Sequence, residues 1–306
     1  MKNTDKTKSL FISIVGKPNV GKSSMLNMIV DSKISIVSPK PQTTRNKIIG
    51  ILTQNNTQLI FTDTPGLLNP RNKLGNYMVS EINNSFSGCE ACIHAVEAGK
   101  RICNRDLELI NKFKKMGIPV LLVINKIDLL KNKSVIMDQI KIYTDEFDYF
   151  AVVPISAKTH SGREELLNEL DKLAKPSVFF FDEDDITDQT ERMLVSEIIR
   201  EKMLCLLDKE LPHGSAVCVE YFHERDNEIT DIHATIYCER ENHKGIIIGK
   251  NGSMLKNIGM LARKDLEEML MRKINLKLWV KVKENWKNRD SVLTDFGYCI
   301  DKNRCS

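Results

Sequence analysis

Gly16-Lys-Pro-Asn-Val-Gly-Lys-Ser23 decides the fold. The stretch matches G-x-x-x-x-G-K-[S/T] at every position. An apolar run at 10–15 (Leu-Phe-Ile-Ser-Ile-Val) leads in, and a helix-like run at 24–30 (Ser-Met-Leu-Asn-Met-Ile-Val) leads out. This is the strand–loop–helix setting that a phosphate-binding loop requires. Gly16 and Gly21 allow a tight turn whose N–H groups face phosphate oxygens. The following helix adds its positive N-terminal end. In that setting Lys22 reaches the outer phosphates and the Ser23 hydroxyl sits on Mg²⁺. Lys17, Pro18, Asn19 and Val20 complete the cradle.

Further along, 38–45 reads Ser-Pro-Lys-Pro-Gln-Thr-Thr-Arg. Two prolines oppose regular structure, so this is a loop. At this distance from the phosphate loop it can fold over a nucleotide and offer Thr44 as a second Mg²⁺ ligand. Such loops order around a γ-phosphate and relax after hydrolysis. A strand at 58–62 runs into Asp63-Thr-Pro-Gly66. A carboxylate at the end of a strand lies where open α/β sheets bind ligands. Asp63 suits Mg²⁺ through water, and Gly66 can bring its N–H to the γ-phosphate. Thr64, Pro65 and Leu67 flank it.

A third apolar run, 119–124, ends in Asn125-Lys-Ile-Asp128, and a fourth, 151–155, ends in Ser156-Ala-Lys158. The Asp128 carboxylate can accept from both N1–H and the 2-amino group of guanine, a donor pair that adenine lacks. Leaving that acceptor unpaired costs about 1–3 kcal/mol, which supplies discrimination. Asn125 is expected at the other edge of the base, the Lys126 stem along the ring, and the Ala157 N–H at guanine O6. Amphipathic segments at 105–116 and 162–174 alternate with these strands. The pattern predicts a mainly parallel sheet with helices on both faces.

The chain has 306 residues, which suggests about two domains. Its 45 Lys and Arg against 41 Asp and Glu leave a formal charge of only +4, so average charge says little about partners. Eight cysteines show no disulfide rhythm, and reduced cysteines fit a cytosolic compartment. Cys89-Glu-Ala-Cys92 is a C-x-x-C without a second pair at zinc spacing. Buried structural thiols, or a redox or metal-binding pair, are the alternative readings. Residues 1–9 are polar and lysine-rich with no signal core, and no apolar run approaches the ~20 residues of a spanning helix.

Lys175-Pro176, the acidic run at 182–185 and a helix candidate at 190–207 mark a junction. The expected organisation is a flexible 1–8, a nucleotide-binding domain at 9–176, a solvated linker at 177–189, a second domain at 190–290 and a tail at 291–306. In the second domain, strands at 216–222 and 230–238 form a hairpin. Ile246 and Ile248 then precede Gly249-Lys250-Asn251-Gly252, followed by a long helix candidate (253–272) and a strand (276–282). This is the KH pattern, whose G-x-x-G loop clamps about four nucleotides of single-stranded RNA. Residues 240–289 carry 13 Lys and Arg against 5 Asp and Glu, a basic footprint suited to RNA. Trp286 offers either a base-stacking surface or a core anchor.

Together the phosphate loop, Lys40-Pro-Gln-Thr-Thr-Arg45, Asp63-Thr-Pro-Gly-Leu67 and the KH pattern resemble the Era GTPase family across nearly the whole chain. The resemblance implies an α/β fold: a P-loop GTPase domain with a doubly wound, mainly parallel sheet, plus a smaller α+β type 2 KH domain. It implies binding of GTP and GDP, Mg²⁺-dependent hydrolysis of GTP, and binding near the 3′ end of 16S ribosomal RNA during assembly of the 30S subunit. It further implies a monomer in the cytoplasm, with peripheral contact at the inner membrane. Leu67 stands where many signalling GTPases carry a water-orienting glutamine, so slow hydrolysis is expected. Relatives with Pro-Asn in the phosphate loop suggest that Asn19, with carbonyls of 38–44, holds an activating K⁺. Glu97 and Ser24 depart from the usual Asp and Thr, and neither removes a motif ligand. A phosphotransferase using the same loop and an RNA-binding scaffold with a vestigial nucleotide site are the rival readings. Asn125–Asp128 opposes the first, and intact Lys22, Ser23, Thr44 and Asp63 oppose the second.

Overall fold

The computed structural model describes residues 7–40, 42–66, 70, 72–132, 134–208, 211–225 and 228–298. They fall into two units, 1–68 with 78–188 and 69–77 with 189–306.

In the first unit, β1 (Lys8–Gly16) leads to α1 (Lys22–Val30), β2 (Ile48–Gln54) and β3 (Thr57–Asp63). After α2 (Lys73–Ser85), whose first residues belong to the second unit, come β4 (Ala91–Glu97), α3 (Asn104–Met116) and β5 (Val120–Asn125). Then follow α4 (Ser134–Glu146), β6 (Ala151–Pro154), α5 (Arg163–Asp171) and the two-residue β7 (Lys175–Pro176). The sheet order is β2-β3-β1-β4-β5-β6, with β7 antiparallel to β1. Only β2 runs against its neighbour among the first six strands. The inner strands β1, β4 and β5 are buried on both faces, which is why they read as unbroken apolar runs rather than alternating ones. Ile14, Met25, Leu26 and Phe61 fill the core on the α1 side, and Leu109, Ile110 and Phe113 that on the α3 side. Strand order reverses between β1 and β4, placing a ligand crevice at the end of β1.

Residues 177–188 are not a free linker. The Gln58 side chain accepts from the N–H groups of Phe180 (2.7 Å) and Phe181 (3.1 Å) and donates to the Phe181 carbonyl (3.0 Å). The Ile51 N–H donates to the Ile186 carbonyl at 2.9 Å, and Thr187 bridges to Gly50. Strand β2 is the sheet edge, and this segment covers its unpaired groups. The acidic side chains at 182–185 stay exposed, so charge alone reads as a solvated linker while the backbone is fastened. Cys89 and Cys92 sit at the entry to β4 with their sulfurs 3.8 Å apart, Cys92 fully buried.

The second unit contains α6 (Glu191–Leu206), β8 (Ala216–Glu224), β9 (Ile229–Cys238), α7 (Glu241–Ile248), α8 (Ser253–Leu270), β10 (Lys273–Val282) and α9 (Asp290–Asp295). The sheet order is β10-β9-β8, with β9 antiparallel to β8 and parallel to β10. Alternate residues Ile232, Ala234 and Ile236 of β9 pack against Ile198, Ile199, Ile258, Ala262 and Leu266 of the helices. Trp286 is completely buried and its indole N–H donates to the Gly214 carbonyl at 3.0 Å. The core reading of Trp286 therefore holds and the base-stacking one falls. Part of the expected tail is folded: α9 and Tyr298 are packed, with the Tyr298 ring stacked 6.3 Å from Trp286. Residues 299–306 lie outside the described residues.

Candidate nucleotide site and nucleic-acid groove

Four parallel strands deliver the predicted motifs to one edge of the sheet. Gly16 ends β1, Asp63 ends β3, Asn125 ends β5, and Ser156 follows β6. Gly21 lies in the left-handed region (φ 94°), and a Cβ there would stand 2.3 Å from the Asn125 amide nitrogen. Backbone conformation and close packing thus both demand glycine. Gly66 packs on Pro18, where a Cβ would come within 2.8 Å of its Cα. A cavity of about 300 Å³ lies here, lined by Asn19, Lys22, Ser23, Thr44, Gly66 and Lys126, among others.

Three oxygens meet on the phosphate side. The Ser23 hydroxyl donates to Asp63 Oδ2 at 2.6 Å and lies 2.9 Å from the Thr44 hydroxyl. Asp63 is fully buried, and its Oδ1 has no hydrogen-bond partner among the described residues. Burial pushes this carboxyl up from its ordinary range, while nearby Lys22 and the Ser23 and Ser35 hydroxyls pull it down. The Lys22 ammonium, also buried, donates among the described residues only to the Gly16 (3.2 Å) and Lys17 (3.1 Å) carbonyls. Burial lowers its proton affinity and Asp63 opposes that. An orphaned buried carboxylate oxygen beside two hydroxyls is a hard-oxygen set that fits Mg²⁺. A buried ammonium satisfied only by carbonyls is ready for an anion.

On the base side the motif residues are bonded to one another and to the neighbouring loops. Asn125 is wholly engaged with protein. Its amide donates to the Val20 carbonyl at 2.9 Å, and its oxygen accepts from the N–H groups of Lys126 (2.7 Å) and Ala157 (3.0 Å). Asn125 and Ala157 therefore bond to each other. The physical reason is burial: an enclosed amide and an enclosed N–H need partners, and the neighbouring loops supply them. Lys126, expected only as a packing stem, donates to the Asn19 carbonyl (2.6 Å) and to Glu97 (2.8 Å). Asp128 is exposed, with Oδ1 held by the Ser156 hydroxyl at 2.7 Å. Ile127 lies in the turn between, and Lys158 is exposed beyond Ala157. The Gly16–Ser23 and Asn125–Asp128 loops are thus bonded into one frame.

A buried network that the motifs do not reveal supports the loop from below. The Lys17 ammonium donates to Asp106 Oδ2 at 2.8 Å, and the same oxygen accepts the Cys103 N–H at 3.0 Å. His94 Nε2 faces Asp106 Oδ1 across 3.8 Å, and His94 Nδ1 is 2.8 Å from the Tyr149 hydroxyl. Burial opposes ionisation of Asp106, but His94, Lys17 and the Cys103 N–H override it and hold the carboxyl below the usual range. Burial pushes His94 down, with Asp106 opposing. Asp106 carries only a weak signal in sequence, as an acidic residue in the first turn of α3. Asn19 donates to the Pro39 carbonyl at 2.8 Å, which brings a carbonyl of the second loop beside the phosphate loop. Leu67 lies outside the described residues.

In the second unit, Gly249 (φ 74°), Asn251 (φ 53°) and Gly252 (φ 75°) turn the chain between α7 and α8. A Cβ on Gly249 would come within 2.7 Å of Met254 Cβ. Beside this turn a groove of about 480 Å³ is lined by Gly252, Leu255, Lys256, Met260, Arg263 and Leu278, with others. Ile246 is exposed and Ile247 buried, so of the apolar run before the loop only part faces outward. Lys250 is exposed and Ile248 half-buried. The groove's wall on β10 is invisible to a motif search because it is an ordinary strand pattern.

Two family descriptions match: "50S ribosome-binding GTPase" over residues 11–126 and "KH domain" over residues 210–287. GTPase Era of Clostridioides difficile (strain 630) is 46% identical over 292 residues, covering 95% of this chain and 98% of that protein. GTPase Era of Ruminiclostridium cellulolyticum is 45% identical over 296 residues, covering 97% and 99%. Among solved structures, an Aquifex aeolicus Era variant bound to GDP·AlF₄⁻ superposes with a TM-score of 0.92 at 37% identity, covering 96% of this chain and 100% of that one. Era in complex with MgGDPNP and nucleotides 1506–1542 of 16S ribosomal RNA gives 0.91 at 37% identity over the same shares.

Proposed function

This chain belongs to the Era family of GTPases, and from that premise we propose that it is a GTP-controlled RNA-binding factor of small-subunit assembly. It binds GTP and hydrolyses it to GDP and phosphate. Its RNA target is the 3′ end region of 16S ribosomal RNA, and its task lies in 16S processing and biogenesis of the 30S subunit; the solved relative with that RNA supports the assignment. One observation carries the switch reading: Ser23 bonds at once to Asp63 and to Thr44 of the proline-rich loop. Contacts at this point couple the loop to whatever occupies the phosphate site.

In this reading Gly16–Ser23 N–H groups and Lys22 bind the phosphates, and phosphate charge compensates the buried ammonium. Ser23 and Thr44 directly, and Asp63 through water, would hold Mg²⁺, which neutralises phosphate charge when bound. Asp128, oriented by Ser156, reads the guanine edge, while Asn125 and Lys126 lock the loops around the base. Gly66 offers its N–H to the γ-phosphate, and Thr64, Pro65 and Leu67 belong to the same GTP-binding segment. An aliphatic Leu67 cannot orient water, so intrinsic hydrolysis is slow. Asn19 and the carbonyls of 38–44 would hold K⁺; rates equal in KCl and NaCl would count against that site. Residues Ile246 and Ile248 to Gly252 clamp the RNA strand. The domain limits proposed are 9–176 for the GTPase part and 190–290 for the KH part. The protein acts as a cytoplasmic monomer with peripheral contact at the inner membrane, which sedimentation and cell fractionation test.

The deciding experiment measures binding of a single-stranded RNA copy of the 16S 3′ end in the presence of GDP or a non-hydrolysable GTP analogue. Tighter binding with the analogue, abolished by Gly249→Asp/Gly252→Asp, is expected. Equal affinity in both nucleotide states would remove the switch.

A further inference from the structure

The sheet of the second unit has a second face. Ile232, Ala234, Ile236 and Ile274 point into the core under the helices, so the alternate residues of β9 and β10 point the other way. A bulge between Val219 and Tyr221 inserts Glu220 and sets Tyr221 opposite His233. The bulge thereby keeps Tyr221 on the outward face. The result is a row of rings crossing three strands. Tyr221 and His233 have centroids 4.9 Å apart, and His233 and Trp279 5.3 Å. Tyr221 and Trp279 are each 43% exposed, which is costly for large rings that serve only packing.

The charges on this face are unbalanced. Its acids are already paired: Glu220 with Lys281 (3.4 Å), and Asp231 with Arg225 and Asn275. Lys273 and Lys277, also on the outward side of β10, have no ion-pair partner among the described residues. Strand β10 is the sheet edge, and its inward Leu276 and Leu278 line the G-x-x-G groove. One strand therefore presents the groove wall on one side and Lys277 with Trp279 on the other.

We propose that the Tyr221–His233–Trp279 face is a second RNA-binding surface, on which unpaired bases of a strand leaving the G-x-x-G groove stack while Lys273 and Lys277 hold its phosphates. Stacking on exposed rings beside cations is how single strands are bound without strict sequence demand. The proposal rests on the RNA-binding reading of the second unit.

Full-length protein with a GTP analogue is titrated with a 6-nucleotide and a 12-nucleotide single-stranded copy of the 16S 3′ end. The shorter RNA is little longer than the roughly four nucleotides that a KH groove clamps. Trp279→Ala is expected to weaken the 12-mer about tenfold, within the range for one lost base stack, and to leave the 6-mer unchanged. Trp279→Phe restores most of the loss. Lys277→Ala lowers the salt slope for the 12-mer by about 0.7, the release from one single-strand phosphate. Gly249→Asp/Gly252→Asp loses both RNAs. If Trp279→Ala binds the 12-mer as the wild type does while the glycine variant loses both, the surface proposal fails, the face belongs to a protein partner, and the groove reading stands. Equal weakening of both RNAs by Trp279→Ala also overturns it, because the effect then acts through the groove. If the wild type binds neither RNA, both readings fall.

Discussion

Replacing Asn125 with alanine should damage the protein before any nucleotide arrives. The side chain is buried and makes three good hydrogen bonds, to Val20, Lys126 and Ala157. At about 1 kcal/mol net for each bond, the loss is about 3 kcal/mol. For a unit of this size about 2–4 °C of Tm accompanies each kcal/mol, so nucleotide-free unfolding of the first unit should fall by about 6–12 °C. Asn125→Asp sharpens the argument. It keeps both acceptor bonds but turns an oxygen toward the Val20 carbonyl, and it should cost a similar amount despite its equal size. The assay is thermal unfolding without nucleotide, followed by GDP titration. If Asn125→Ala stays within about 2 °C of wild type and only GDP binding suffers, then Asn125 acts on the base and not on the loops, and the reasoning is wrong.

Gly21→Ala places a methyl where the Asn125 amide stands. The double variant with Asn125→Ala should be less damaged than the sum of the two singles, by more than about 0.5 kcal/mol in a double-mutant cycle. Strict additivity would deny the contact. Asp128→Asn replaces an acceptor by a donor at the base edge. GDP affinity should drop about 10- to 100-fold while xanthine nucleotide binding improves, as titration with both will tell. Burial lowers the His94 pKa, so the unfolded chain binds the extra proton first. The stability it contributes is whole above about pH 6.5 and declines as pH falls through that value. Asp106, with its depressed pKa, begins to lose its share only below about pH 4. Between pH 7 and 5 the Tm of His94→Gln should therefore vary less steeply than that of wild type; an unchanged slope would remove His94 as the cause.

The legible part of this protein lies in its local words. Gly16–Ser23, Asp63–Gly66, Asn125–Asp128 and Gly249–Gly252 each impose a backbone shape or a short-range chemistry that residue type and spacing specify. The unbroken apolar runs of β1, β4 and β5 declare strands buried on both faces. Helix α2 is capped by Asn72, whose side-chain oxygen accepts the Gly75 N–H at 2.8 Å, an end that the sequence reading did not mark. Tertiary structure decided where partners separated by long stretches of chain come together. It gave Asn125 to Val20 and Ala157, Lys17 to Asp106, and Asp128 to Ser156. It tied 177–188 along the sheet edge, buried Trp286 and left Trp279 in solvent. Both tryptophans sit among similar basic neighbours, and nothing local separates them. Strand parity and the fit of the helices did, because burial belongs to the packed face and not to the residue.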